Sequence, residues 1–152
     1  MSDVYAEFLG ILAGPLNRVA KARALAHVLQ RAGGYRWVGI YEVTPADIRA
    51  IAWTGEVAPA FPSFPRSQGL KGAAVALGQP LVIQDVTRDP RWLTTFGTSK
   101  AEAIVPVTLH GAVVGAIDVE SERVGAFTKA DQEFLSDAAE LLRPFWDVGF
   151  IT

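Results

Sequence analysis

The chain has 152 residues, half of them hydrophobic and a fifth charged, with a formal charge of −2, two histidines and no cysteine. That length and apolar content suit one domain with a proper core. The missing cysteines exclude disulfides, thiol nucleophiles and cysteine-held metal sites. The weakly acidic balance argues against nucleic-acid or membrane-surface partners.

No metal and no cofactor is expected: His27 and His110 stand far apart and leave little for a histidine-based metal site, though carboxylates could still hold a hard cation. The N-terminus carries Asp3 and Glu7 without a basic start, unlike a signal peptide. The longest uncharged run, Ala103 to Ile117, is broken by Pro106, Gly111 and Gly115 and is too short for a membrane span. A cytoplasmic location is therefore expected.

In chain order, Ser2 can cap a first helix with Val4, Phe8, Ile11 and Leu12 on one face, ended by Gly14-Pro15. Asn17 caps a second, striped by Leu25, Val28 and Leu29 and stopped at Gly33-Gly34. Tyr35 to Val43 then alternates as a strand, with Tyr35, Trp37, Gly39 and Tyr41 on one face. A turn at 44–47 returns the chain as a second strand, Ile48 to Trp53.

Residues 54–68 read as a proline-rich loop, Leu70 to Leu77 as a short helix closed by Gly78, and Pro80 to Ile83 as a brief strand. The loop from Gln84 to Lys100 is long enough to be a lid. In it, Trp92 either closes over a ligand or anchors the loop, and Arg88 and Arg91 either meet an anion or keep the loop soluble. Ala103 to Leu109 and Val113 to Val119 form a hairpin through His110-Gly111, with Pro106 implying an edge or a bulge. Thr128-x-x-Asp131 opens a final helix buried through Phe134, Leu135, Ala138, Leu141, Leu142 and Phe145.

This order predicts an α+β fold of one domain over 1–152: N-terminal helices in 1–34, an antiparallel sheet with a short helix and pocket loops in 35–126, and a C-terminal helix in 127–152. The terminal helices cover one sheet face. Strand alternation leaves Trp37 and Tyr41, with Asp118 and Glu120, on the other face, while Val113, Ile117 and Val119 point to the helices. Aromatic rings and carboxylates converging under loops describe a small-molecule site. The alternative is that Asp118 and Glu120 simply face water at a strand end.

The segments Trp37-Val-Gly-Ile-Tyr41, Gly69-Leu-Lys-Gly72, Gly78 to Val86, Glu102 to Val107, Gly115 to Ser121 and Phe127-Thr-Lys-Ala-Asp131 resemble a GAF domain. The W-x-G-x-Y strand, Glu102 and the Asp118/Glu120 pair resemble its free methionine-(R)-sulfoxide reductase branch. That resemblance implies an aromatic cage of Trp37 and Tyr41 for the substrate methyl group. It also implies that Glu102, Asp118 and Glu120 engage the polar and ammonium end. Glu120 stands where the branch has an aspartate.

The branch reduces its substrate with cysteines, and the matching positions here are Phe61, Lys71 and Thr95. A cyclic-nucleotide reading is poor, because Gln132 follows Asp131 and no Asn-Lys pair exists. The sequence thus reads as a GAF-type sensor of a small polar, amino-acid-like metabolite, with Trp37, Tyr41, Trp92, Glu102, Asp118 and Glu120 as ligand-binding residues. It has no catalytic residue and is not expected to be an enzyme. The alternative is a homodimeric or partner-binding signalling module with a vestigial pocket, meeting its partner through Phe8, Leu12, Phe145 and Trp146.

Overall fold

A computed structural model describes residues 2–92 and 96–147. Helices α1 (Ser2–Ala13) and α2 (Arg18–Gly33) precede the hairpin β1 (Trp37–Val43) and β2 (Asp47–Trp53). A short strand β3 (Ser63–Pro65) follows, then helix α3 (Gly69–Leu77) and strand β4 (Leu81–Ile83). The long hairpin β5 (Ala101–Leu109) and β6 (Ala112–Ser121) leads into helix α4 (Lys129–Leu141) and a terminal 3₁₀ turn, Arg143–Trp146. Every strand pairing is antiparallel, and the six strands run in the order β3-β2-β1-β6-β5-β4.

Local chemistry sets the helix ends. The Asn17 side chain accepts from the Ala20 amide, and Gly34 closes α2 with a positive φ that few other residues adopt. Thr128 and Asp131 cap α4 reciprocally, Thr128 Oγ1 accepting from the Asp131 amide while Asp131 Oδ2 accepts from the Thr128 amide. Ser2, read as a cap, is instead the first helical residue. Pro106 sits past the last β4 pair, Leu81↔Ile104, where β5 has no further partner on that side in the β4 ladder.

The sheet separates two cores. On one side Val38, Ile40, Ala103, Val105, Ile117 and Val119 pack against Phe8, Leu25, Leu29, Leu135 and Leu142 of the helices. On the other, Trp37, Tyr41, Ile48, Phe64, Ile104 and Ala116 pack against Leu70, Ala74 and Val75 of α3. The expected terminal-helix layer is present, and α3 belongs to the opposite layer.

Several sequence expectations need correction. The 54–68 loop contains β3, which carries Phe64 into the second core. Val113 joins that second core rather than the helix side, because the β5–β6 register shifts between Val107 and Thr108 and Val114 takes the helix-facing place. Tyr35 precedes β1 and packs on the helix side, its Oη donating to Asp131 Oδ1 at 3.0 Å. Phe8, Phe145 and Trp146, offered as a partner surface, are all buried within the chain's own core, and Leu12 packs partly against it.

Candidate functional site

Register builds the site row by row. Trp37 pairs with Glu120, and Glu120 in turn with Glu102, so three site residues stand abreast across β1, β6 and β5. The next row joins Gly39, Asp118 and Ile104, and the next Tyr41, Ala116 and Pro106. Directly opposed residues point to the same face of a sheet. Trp37, Tyr41, Glu102, Asp118 and Glu120 are therefore brought together by backbone pairing alone.

Small residues make room for the large ones. A Cβ on Gly39 would lie 2.4 Å from Cη2 of Trp37 and 2.8 Å from Cε1 of Tyr41. The two rings lean over Gly39 from either side, which accounts for the W-x-G-x-Y spacing. Phe96 packs edge-on to Trp37 at 5.4 Å between centroids. From the helix side, Trp146 Nε1 donates to the Tyr41 carbonyl at 2.9 Å and fixes the strand beneath the ring.

All three carboxylates are sealed: Glu102 is 1 % exposed, Asp118 and Glu120 are 0 %. They present oxygens within 4.8 Å of one another, an arrangement able to hold a hard cation. Here the positive charge among them is Lys71, itself 5 % exposed. Its Nζ lies 3.2 Å from Glu102 Oε2 and 3.0 Å from Asp118 Oδ2. Glu120 Oε1 accepts from the buried Ser99 Oγ at 2.5 Å.

Burial dominates the ionisation of the cluster. It pushes the Asp118 carboxyl well above its ordinary range, aided by the neighbouring charge of Glu102 and opposed by Lys71. Burial alone would lower Lys71, yet Asp118, Glu102, Tyr41 and Glu120 together hold its ammonium well above the usual lysine value. The Tyr41 phenol is raised chiefly by burial. It is a neutral donor at any ordinary pH.

Three donors in or against this core lack a hydrogen-bond partner among the described residues: Trp37 Nε1, Tyr41 Oη and Trp92 Nε1. Trp92 is half-buried against the same core. It also lines an outer groove of about 460 Å³ beside Gly69, Gly72 and Ala73 of α3. The loop arginines are taken locally, Arg91 by Asp89 at 2.7 Å and Arg88 by Asp85 at 3.4 Å. His27 and His110 are exposed, away from the site.

Strand alternation places Trp37, Tyr41, Asp118 and Glu120 on the face where the structure has them, the family resemblance adds Glu102, and neither points to Lys71, Phe64 or Ser99 as neighbours of the cluster. Lys71 was legible in part, since it shares an apolar helix with Leu70, Ala74 and Val75. Of the three positions matched to thiols, Phe61 is exposed at the surface and Lys71 is at the centre of the site. Thr95 lies outside the described residues. No helix among the described residues is long and apolar enough to cross a membrane.

The chain is 26% identical over 134 residues to GAF domain-containing protein A of Dictyostelium discoideum, covering 88% of this chain and 84% of that protein. It is 25% identical over 135 residues to the free methionine-R-sulfoxide reductase of Escherichia coli, covering 88% and 81%. Among solved structures, the free methionine-R-sulfoxide reductase from Neisseria meningitidis, in complex with its substrate, superposes with a TM-score of 0.87 at 26% identity. That match covers 99% of this chain and 90% of the other.

These comparisons overturn the expectation that the chain is not an enzyme. Two of these three relatives are enzymes, and the kinship points toward one. The GAF domain model itself matches residues 17–143, spanning the whole sheet and the carboxylate cluster. The chain belongs to the GAF domain family.

Proposed function

We propose that this GAF domain binds a small polar, amino-acid-like metabolite between Trp37 and Tyr41 on one side and Glu102, Asp118 and Glu120 on the other, with Trp92 at the outer edge. The observation that carries the reading is the pair of buried donors, Trp37 Nε1 and Tyr41 Oη, without a protein partner among the described residues. A buried polar group left unsatisfied costs about 1–3 kcal/mol. Two such groups on the sheet face that carries the carboxylate cluster are what a site for a polar guest would contain.

Free methionine-R-sulfoxide is the first molecule to try, since it gives the Escherichia coli and Neisseria relatives their names. It offers a methyl group for the rings and acceptor and ammonium groups for the polar side. A chain with no cysteine brings no thiolate of its own to the sulfoxide. The reading therefore rests on recognition of the molecule.

A thermal-shift screen over amino acids, their sulfoxides and cyclic nucleotides tests it, with methionine formation followed in parallel. Stabilisation by an amino-acid-type ligand that is lost in Trp37→Ala supports the reading. A protein indifferent to the whole panel, or a Trp37→Ala variant that binds equally well, sinks it.

A further inference from the structure

Lys71 is enclosed on four sides by groups that suit an ammonium ion. Two carboxylate oxygens, Glu102 Oε2 and Asp118 Oδ2, lie 3.2 and 3.0 Å from Nζ. The ring centroids of Tyr41 and Phe64 lie 5.1 and 5.8 Å from it, both within cation–π range. A buried ammonium survives only with such compensation. Carboxylates with aromatic faces are also what recognises a free ammonium ligand. The Tyr41 hydroxyl, fully buried and without a hydrogen-bond partner among the described residues, belongs to the same cradle.

We propose that Tyr41, Phe64, Glu102 and Asp118 form a primary-ammonium site whose resident is the chain's own Lys71, so that an amine-bearing ligand competes with Lys71 for the same place. The proposal deepens the reading above by identifying Lys71 as the group a ligand must displace, and rests on that reading only for where a ligand sits. Lys71 comes from α3, whereas Glu102 and Asp118 stand on the sheet. Displacing the lysine therefore needs movement of one side chain, not of a strand.

The test uses n-propylammonium chloride, which matches the atoms that Lys71→Ala removes beyond Cβ. Lys71→Ala should be stabilised by millimolar propylammonium, with a midpoint rise of several degrees and at least tenfold tighter binding than the native chain shows. The native chain and Lys71→Met, whose longer side chain keeps the space filled, should not respond. Neutral 1-propanol should not substitute for the amine.

An equal response to propanol, or equal responses of Lys71→Ala and the native chain, would overturn the proposal. If Lys71→Ala does not fold alone, recovery of folded protein by propylammonium but not by propanol supports it. The double variant Lys71→Ala/Asp118→Asn, which leaves one buried carboxylate fewer unpaired, is measured in the same way. Absence of any amine-specific effect in both variants overturns it. Propylammonium rescue without amino-acid binding to the native chain would defeat only the metabolite reading. Amino-acid binding without rescue would defeat only this one.

Discussion

Lys71 Nζ lies 3.0 Å from Asp118 Oδ2, and neither side chain meets solvent appreciably. The pair is asymmetric, because Lys71 also holds Glu102 while it is the cation shared by both. Removing one partner of a buried pair strands the other charge, at about 3–5 kcal/mol. Lys71→Met should therefore lose about that much stability, whereas Asp118→Asn, which leaves the Lys71–Glu102 pair intact, should lose distinctly less. Urea unfolding of the two variants gives the order, and equal losses would show that Lys71 is not the shared counter-charge.

Gly39 separates Trp37 and Tyr41, and a Cβ there would fall 2.4 Å from one ring and 2.8 Å from the other. Gly39→Ala should splay the rings and destabilise the fold by about 1–3 kcal/mol, the usual range for overpacking a core. Near-ultraviolet circular dichroism should change with it, because both aromatic environments move. An unchanged spectrum at native stability would mean that the rings do not lean across this position.

The residues that were legible and those that were not differ in a physical way. Trp37, Tyr41, Asp118 and Glu120 could be read because strand alternation is strict and the β1–β6 register is unbroken between Trp37 and Glu42. Val113 was misplaced because a register shift leaves no mark in the residue types. Phe64 was missed because a three-residue strand among prolines gives no periodic signal. Lys71 was hidden by the rule that lysines are exposed, since its compensation comes from β5 and β6, more than thirty residues on. Glu102 came from the family resemblance and not from alternation. The absence of cysteine led to the expectation of a non-enzyme, which the sulfoxide reductase relatives correct.

The Trp146 indole lies flat enough on β6 that a Cβ on Gly115 would stand 2.0 Å from its Nε1. The same nitrogen donates to the Tyr41 carbonyl. Gly115→Ala should force the indole away and break that bond, costing about 1–3 kcal/mol for the buried acceptor in addition to lost packing. Trp146→Phe should lose the hydrogen bond and part of the ring's packing without forcing a side chain into β6, and be the milder change. Thermal midpoints in the reverse order would contradict the contact.

Alkaline pH should weaken the fold through groups that are protonated when folded. Burial raises Tyr41, burial and Asp131 raise Tyr35, and the surrounding carboxylates hold Lys71 above its ordinary value. Their contributions are complete below the unfolded values of 10.0 for tyrosine and 10.5 for lysine, and are lost as pH rises beyond them. Each group adds up to about 1.4 kcal/mol per pH unit to the slope. Tyr41→Phe should make the decline above about pH 10 shallower by roughly one proton's worth. An unaltered slope in urea titrations across that range would contradict the burial of the phenol.

Calorimetric titration of the native chain with free methionine-R-sulfoxide, alongside Trp37→Ala and Asp118→Asn, shows whether a ligand sits between the rings and the carboxylates. Binding to the native chain should be saturable and one-to-one, and weakened at least tenfold in both variants. Absence of heat from the sulfoxide and from the parent amino acids, or binding that both variants retain in full, would contradict a ligand site between these rings and carboxylates.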